Sequence, residues 1–173
     1  MNTDKLYQRI GEFVVSFQWI ENMLREIGWL ILDPDRKEWP PRTLRNLTNN
    51  DLVNEVESLY VGLIEGLDVE GKDARKADFQ TLMAACPDMR RYRNNLLHSA
   101  YIELKAGDDV MGILRSNPKL KVDPSSGEVL FDQEMLSEEA ILKEMEKLAE
   151  LAFALNLHYT QLIHWAPFDR LRK

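Results

Sequence analysis

The sequence predicts an all-helical (all-α) domain with one short β-hairpin inserted near residues 110–132. Two segments, one near each end of the chain, place apolar residues in steps of three and four, the period of an α-helix. Glycine, proline and aspartate are frequent between Gly107 and Gly127, as expected of turns that join strands. With 173 residues, 45% of them hydrophobic and 29% charged, the chain is long enough to form its own core. We therefore assign residues 1–173 to a single domain.

The first predicted element is a long amphipathic helix over residues 6–31. Its apolar stripe consists of Leu6, Ile10, Phe13, Phe17, Ile20, Leu24, Ile27 and Ile31. Asp33 precedes Pro34, and a residue before proline avoids the helical region, so the helix should end there. We expect the proline-rich stretch that follows to be a connection.

Two or three helices are predicted in the middle of the chain. One begins after the capping residues 48–50 and carries Leu52, Val56, Leu59, Leu63 and Leu67 on one side. Another begins near Lys72. Pro87 lacks an amide donor, so we expect it to begin a further helix that runs to about Tyr101.

The last part of the chain should form the hairpin and a final helix. Residues 120–122 and 128–131 flank the turn at 123–127 and are expected to pair as strands. Ser137, followed by two glutamates, is typical of a helix N-terminus. The final stripe matches the first in period, so we expect the two long helices to pair antiparallel.

Composition excludes several classes of function. The net charge of -7 disfavours a protein that coats nucleic acid regardless of sequence, because such binding neutralises many phosphates. No segment resembles a membrane span or a signal peptide, so we expect a cytoplasmic protein with no membrane partner. The single cysteine, Cys86, allows no internal disulfide and no thiolate cluster, and we expect it to be buried. We predict no metal and no cofactor.

One predicted helix face has an unusual composition. On a regular helix the side chains of Arg91, Asn94, Asn95 and Tyr101 lie within about 60° of His98. Solvated helix faces more often carry glutamate and lysine, which favour helix, than asparagine and histidine. An ordinary solvated surface is the alternative interpretation of this face. Arg90 and Arg91, with Arg93, are the densest cationic point of the chain.

Residues 93–98 (RNNLLH), late in a helix with two helices before it and one after it, resemble the Arg-x(4–6)-His signature of HEPN domains. The segment around Glu21, in the long first helix, also resembles that family. The resemblance implies an up-and-down bundle of four to five helices. It also implies a homodimer that brings two such segments together and, in many members, metal-independent cleavage of RNA.

The residue types suit that chemistry. RNA supplies its own nucleophile, the 2′-OH, so cleavage needs a base, an acid and a cation for the phosphate. The resemblance makes His98 the proton-transfer group, Arg93 the phosphate-binding group and Asn94 an orienting partner. A single histidine does not easily serve as base and acid together, which favours one His98 from each of two copies. Substrate-binding candidates are Arg91, Asn95, Tyr101 and Arg90.

Two features depart from the family. Arg93 lies about 140° from His98 on a regular helix, so it must curl round the helix, act across a dimer or have a structural role. Family toxins that pair with a small nucleotidyltransferase antitoxin have a tyrosine two residues after the histidine, whereas Tyr101 is three residues after His98.

The leading hypothesis is a toxin-like or defence-type endoribonuclease, with RNA and possibly such an antitoxin as partners. A catalytically inactive HEPN-like module that binds nucleotide, RNA or a protein is the alternative. A helical partner-binding protein with an accidental similarity is a third possibility.

Overall fold

The computed structural model describes residues 3–38, 41–122 and 125–168. Within them the chain forms five helices and three strands. The helices are α1 Thr3–Leu32, α2 Arg42–Arg45, α3 Asn49–Glu65, α4 Lys72–Leu97 and α5 Glu138–Trp165. The strands are β1 Ala100–Ala106, β2 Asp109–Val122 and β3 Val129–Met135. The prediction of an all-α bundle with a short hairpin is therefore wrong: the protein combines helices with a three-stranded antiparallel sheet.

The chain divides into two compact units. One, here called the sheet unit, comprises Met1–Ser16 and Arg91–Lys147. The other, the helical unit, comprises Phe17–Arg90 and Leu148–Lys173. Helices α1, α4 and α5 each contribute residues to both units.

The core of the helical unit contains most of the predicted α1 stripe but only part of the predicted α3 stripe. Leu59, Leu63 and Leu67 are half-buried, and Val53, Tyr60 and Ile64 are buried in α3 instead. The α1 stripe buries Phe17, Ile20, Leu24 and Ile27, and α3 buries Leu52 and Val56. Tyr60 on α3 stacks on Phe79 of α4, with ring centroids 3.8 Å apart. Helix α3 begins at the predicted place, where the side chain of Thr48 accepts a hydrogen bond from the Asp51 amide. The short helix α2 lies where we expected only a connection, and its Leu44 is fully buried.

The sheet unit is organised around strand β2, which pairs with β1 on one side and β3 on the other. Lys121 pairs with Leu130 and Val122 with Val129, so the two segments predicted to flank the turn do pair as strands; residues 123 and 124 of that turn lie outside the described residues. Strand β1 was missed because nearly all of its residues are exposed, and a short strand without a buried face lacks the alternation that identifies strands. Gly107, at φ 67°, lies in the tight turn between β1 and β2.

Pro87 does not begin a helix. It lies inside α4, which continues from Lys72 to Leu97. The helix also ends earlier than predicted, and Tyr101 is a strand residue. A proline's missing N–H and fixed φ favour the first turn of a helix but do not forbid the interior, where packing of neighbouring residues compensates. Cys86 and Met89, on either side of Pro87, are both buried.

The start of α5 lies beside the start of α1. Glu138 accepts ion pairs from Lys5, at 2.9 Å, and from Arg9, at 3.2 Å. Antiparallel pairing along the full length would instead place the start of α5 near the end of α1, so these contacts do not fit that expectation. The hydroxyl of Ser137 accepts the Ala140 amide and caps α5 as predicted.

Within the part of the chain that the structure describes, no helix is both long enough and apolar enough to cross a bilayer.

Candidate functional site at the end of α4

His98 is the first residue beyond α4. Its backbone amide still donates to the Asn94 carbonyl at 3.0 Å, so the helical turn extends to it. Its side chain is exposed. An exposed imidazole at a fixed backbone position is accessible to a substrate and can exchange protons with it.

Arg93 and Asn94 interact through their side chains. Nη1 of Arg93 donates to Oδ1 of Asn94 at 2.9 Å, and both residues are half-buried. Successive helix residues are rotated by about 100°, so Arg93 starts about 140° from His98 but Asn94 only about 40° away. The hydrogen bond therefore ties the Arg93 guanidinium to the side chain of Asn94, which lies one helical turn before His98. The contact is compatible both with an arginine that curls round the helix and with a structural role for Arg93, whose Nε is buried.

The last carbonyls of α4 are capped by side chains. Ser99 Oγ donates to the Asn95 carbonyl at 2.6 Å, and Tyr101 Oη donates to the Leu96 carbonyl at 2.5 Å. These bonds satisfy acceptors that a helix C-terminus otherwise leaves exposed. Tyr101 thus caps the helix from strand β1 and does not share a helix face with His98. Burial raises the pKa of Tyr101, because the phenolate form loses its hydration.

Sequence reasoning missed a second set of polar residues, on β2 and β3. Arg115 is only 4% exposed. Its Nε donates to Glu134 Oε1 at 2.8 Å, and its Nη1 donates to Ser99 Oγ at 3.1 Å. Asn117 Nδ2 lies 3.5 Å from Oδ1 of Asn95. Strand alternation gave a weak signal, since Arg115 follows the buried Ile113 by two residues and so shares its face.

The remaining predicted substrate-binding residues are less closely associated with His98. Asn95 is half-buried and faces Asn117. Arg91 is exposed. Arg90 is half-buried and belongs to the helical unit, not to the sheet unit that contains the other candidates.

Three further residues with ionisable side chains, Cys86, His158 and Glu21, have structural surroundings. Cys86 is 2% exposed, and burial raises the pKa of its thiol to about 12. His158 packs on aromatic rings of the helical unit. Glu21 accepts a hydrogen bond from Asn49 at 3.2 Å, also in the helical unit. Among the described residues no group of three or more histidine, cysteine, aspartate or glutamate side chains is placed to hold a metal ion.

No protein-family model matches the chain, and no curated protein or solved structure matches it.

Proposed function

We propose that the end of α4 is the catalytic site of a HEPN-type endoribonuclease that cleaves RNA as a homodimer. The observation that carries the proposal is the Arg93–Asn94 hydrogen bond, one helical turn before the exposed His98. A guanidinium and an imidazole on one small surface are the groups that phosphodiester cleavage by a 2′-OH requires. RNA, a second copy of the chain and possibly an antitoxin are the partners under this proposal.

The reaction follows from the chemistry of these groups. The imidazole of one His98 takes the proton of the ribose 2′-OH, and the 2′ oxygen attacks the adjacent phosphorus. The bond from phosphorus to the 5′ oxygen breaks, and His98 of the second copy, in its protonated form, gives the leaving oxygen a proton. The products are a 2′,3′-cyclic phosphate and a 5′-hydroxyl end. Arg93 neutralises charge on the phosphate as it becomes five-coordinate, and Asn94 orients the guanidinium.

The test is cleavage of a labelled RNA by the purified full chain in the presence of a chelator. Replacing His98 with Ala removes the proton-transfer group, so we expect cleavage to fall by at least about 100-fold. His164→Ala is the matched control, because His164 is also an exposed histidine at the end of a helix, on α5. Equal cleavage by the wild type and His98→Ala would refute the proposal.

Arg93 is tested separately. Lysine keeps the charge but not the planar fork, so we expect Arg93→Lys to retain more activity than Arg93→Ala and less than the wild type. Arg42→Ala is the control, because Arg42 is a highly exposed arginine of the helical unit.

A second candidate function is an inactive module that binds RNA, nucleotide or protein without cleaving RNA. The observation in its favour is that Arg93 is half-buried and already uses Nη1 within the chain. Binding of RNA that is weakened by Arg93→Ala, with no cleavage by the wild type, would select this function.

A further inference from the structure

We propose that Arg115 of strand β2 is a positioning residue that fixes the orientation of His98 through Ser99. The proposal rests on the ribonuclease function proposed above for its effect on catalysis. Arg115 is proposed to act on the backbone turn that carries His98, not on the substrate.

Arg115 is an unusual residue for its place. Among the described residues it is the one polar or charged residue in the buried class, at 4% exposure. A buried guanidinium is costly unless it is paired and hydrogen-bonded. Its charge is balanced by Glu134, whose side chain is 51% exposed. Replacing a buried ion pair with apolar residues of similar volume is often neutral or stabilising for folding. Stability alone therefore does not explain why an arginine occupies this position.

The fork of Arg115 contacts two different elements. Nε faces Glu134 on β3, and Nη1 faces Ser99 in the turn between α4 and β1. The two contacts are on different nitrogens of one rigid plane. A lysine has a single nitrogen and does not reproduce this geometry.

Ser99 transmits the contact to α4. Its hydroxyl has one proton, which it donates to the Asn95 carbonyl at 2.6 Å, so the oxygen lone pairs face Arg115. Two hydrogen bonds thus connect Arg115 to the backbone of Asn95: Arg115 donates to the Ser99 hydroxyl, and that hydroxyl donates to the Asn95 carbonyl. His98 lies between Asn95 and Ser99 in the sequence, so the residue that carries the imidazole is held from both sides.

Removing the Ser99 hydroxyl therefore separates positioning from folding. Ser99→Ala breaks the link to α4 but leaves the ion pair between Arg115 and Glu134 in place. Ser99→Thr keeps the hydroxyl and should restore the link. Thr160→Ala is the matched control, because the Thr160 hydroxyl makes the same type of bond, to the Asn156 carbonyl at 2.9 Å, on α5.

The experiment measures kcat and KM for RNA cleavage together with the ring signals of His98 in NMR spectra. His98→Ala assigns those signals among the three histidines. Small misplacements of a catalytic group cost up to about 100-fold in rate, so we expect Ser99→Ala to lower kcat by about tenfold or more and to leave KM within about twofold. We expect the His98 ring signals to shift or broaden in Ser99→Ala, to return to the wild-type position in Ser99→Thr, and not to change in Thr160→Ala.

Arg115→Lys extends the test to the arginine itself and should reproduce the effects of Ser99→Ala. Wild-type His98 signals in both Ser99→Ala and Arg115→Lys would overturn the proposal, as would wild-type kcat in Ser99→Ala. The NMR readout does not depend on activity. If the wild type cleaves no RNA, the ribonuclease function fails while the signals of His98 still decide whether Arg115 positions it.

Discussion

His158 is half-buried against aromatic side chains of the helical unit. Its Nδ1 lies 3.4 Å from the Tyr60 hydroxyl, and the Phe79 ring packs edge-on with centroids 5.3 Å apart. Burial lowers the pKa of His158 below its ordinary value, because the protonated ring loses hydration. Asp78 acts in the opposite direction and Arg75 in the same direction, both less strongly.

This shift makes folding stability depend on pH. Because the pKa of His158 is lower in the folded than in the unfolded chain, the unfolded chain binds the proton first as pH falls below about 6.5. The contribution of His158 to stability is therefore fully present above that pH and is lost as pH falls toward the folded-state pKa. We expect the thermal midpoint of unfolding to be lower at about pH 5 than at about pH 7.5. In His158→Gln this difference should be smaller.

The pH range and a control variant separate the effect of His158 on stability from the effects of other titratable groups. Glu12 and Glu138 have pKa values lowered by hydrogen bonds from arginine and lysine, so their contributions are lost only below about pH 4.5. His164→Gln removes an exposed histidine and should keep the wild-type pH dependence. A wild-type pH dependence in His158→Gln would show that His158 is not its source.

The candidate site illustrates what single residues reveal in a sequence. Arg93, Asn94 and His98 could be singled out because they are close in sequence and their spacing has chemical meaning. Arg115 could not, because its partners Ser99 and Glu134 are 16 and 19 residues away. Only the β2–β3 register, in which Arg115 is paired with Glu134, brings those two together.

At the scale of elements, α1 packs closely on its neighbours in the helical unit at Gly28. A Cβ at this position would lie 2.8 Å from Leu44 Cδ1 on α2 and 3.2 Å from Val56 Cγ2 on α3. Both contacted residues are fully buried. The absence of a side chain at Gly28 thus sets how closely these helices approach.

We expect Gly28→Ala to destabilise the protein by about 1–3 kcal/mol, because the added methyl overpacks a filled core. The measurement is unfolding in urea. Gly62→Ala is the matched control: Gly62 lies inside α3 with no atom within 4 Å of an added Cβ. There alanine should stabilise by about 0.5–1 kcal/mol, since it favours helix. A destabilisation of Gly62→Ala as large as that of Gly28→Ala would contradict the packing explanation.

The elements that the sequence predicts well are those with a long buried stripe. Helix α1 repeats its apolar step over 30 residues, so local exceptions do not obscure the period. Helix α4 continues through Pro87, against the local preference of proline for a helix start, because Cys86 and Met89 on either side of it are packed in the core. Strand β1 was missed because pairing with β2, not burial, stabilises it, and pairing leaves no period in the sequence.

At the scale of the whole molecule, the net charge of -7 limits how RNA can be held. An acidic chain repels a polyanion except near local cations, so binding should be weak and sensitive to salt. The proposed homodimer does not change the charge per chain, but it would bring two copies of Arg93 and His98 to one site. A need for His98 from both copies can be tested by mixing wild-type and variant subunits.

If each active site needs His98 from both copies, a dimer of wild type and His98→Ala is inactive. In an equal mixture after subunit exchange, about a quarter of the dimers are wild type on both sides, so activity should fall to about a quarter of the all-wild-type value. Two independent sites, each using only the His98 of its own copy, would give about half. The same mixture with His164→Ala should keep full activity. A linear loss of activity with the wild-type fraction would exclude a shared site.

The buried thiol of Cys86 makes the native chain a convenient background for fluorescent labelling. Burial raises the pKa of the thiol to about 12, so very little thiolate is present at neutral pH, and only the thiolate reacts with a maleimide. Because the chain has no other cysteine, dyes would attach almost solely to cysteines introduced at exposed positions. Lys105 and Thr160 are such positions, one in each unit. Energy transfer between dyes at these two positions would then measure the separation of the sheet unit from the helical unit, before and after RNA is added.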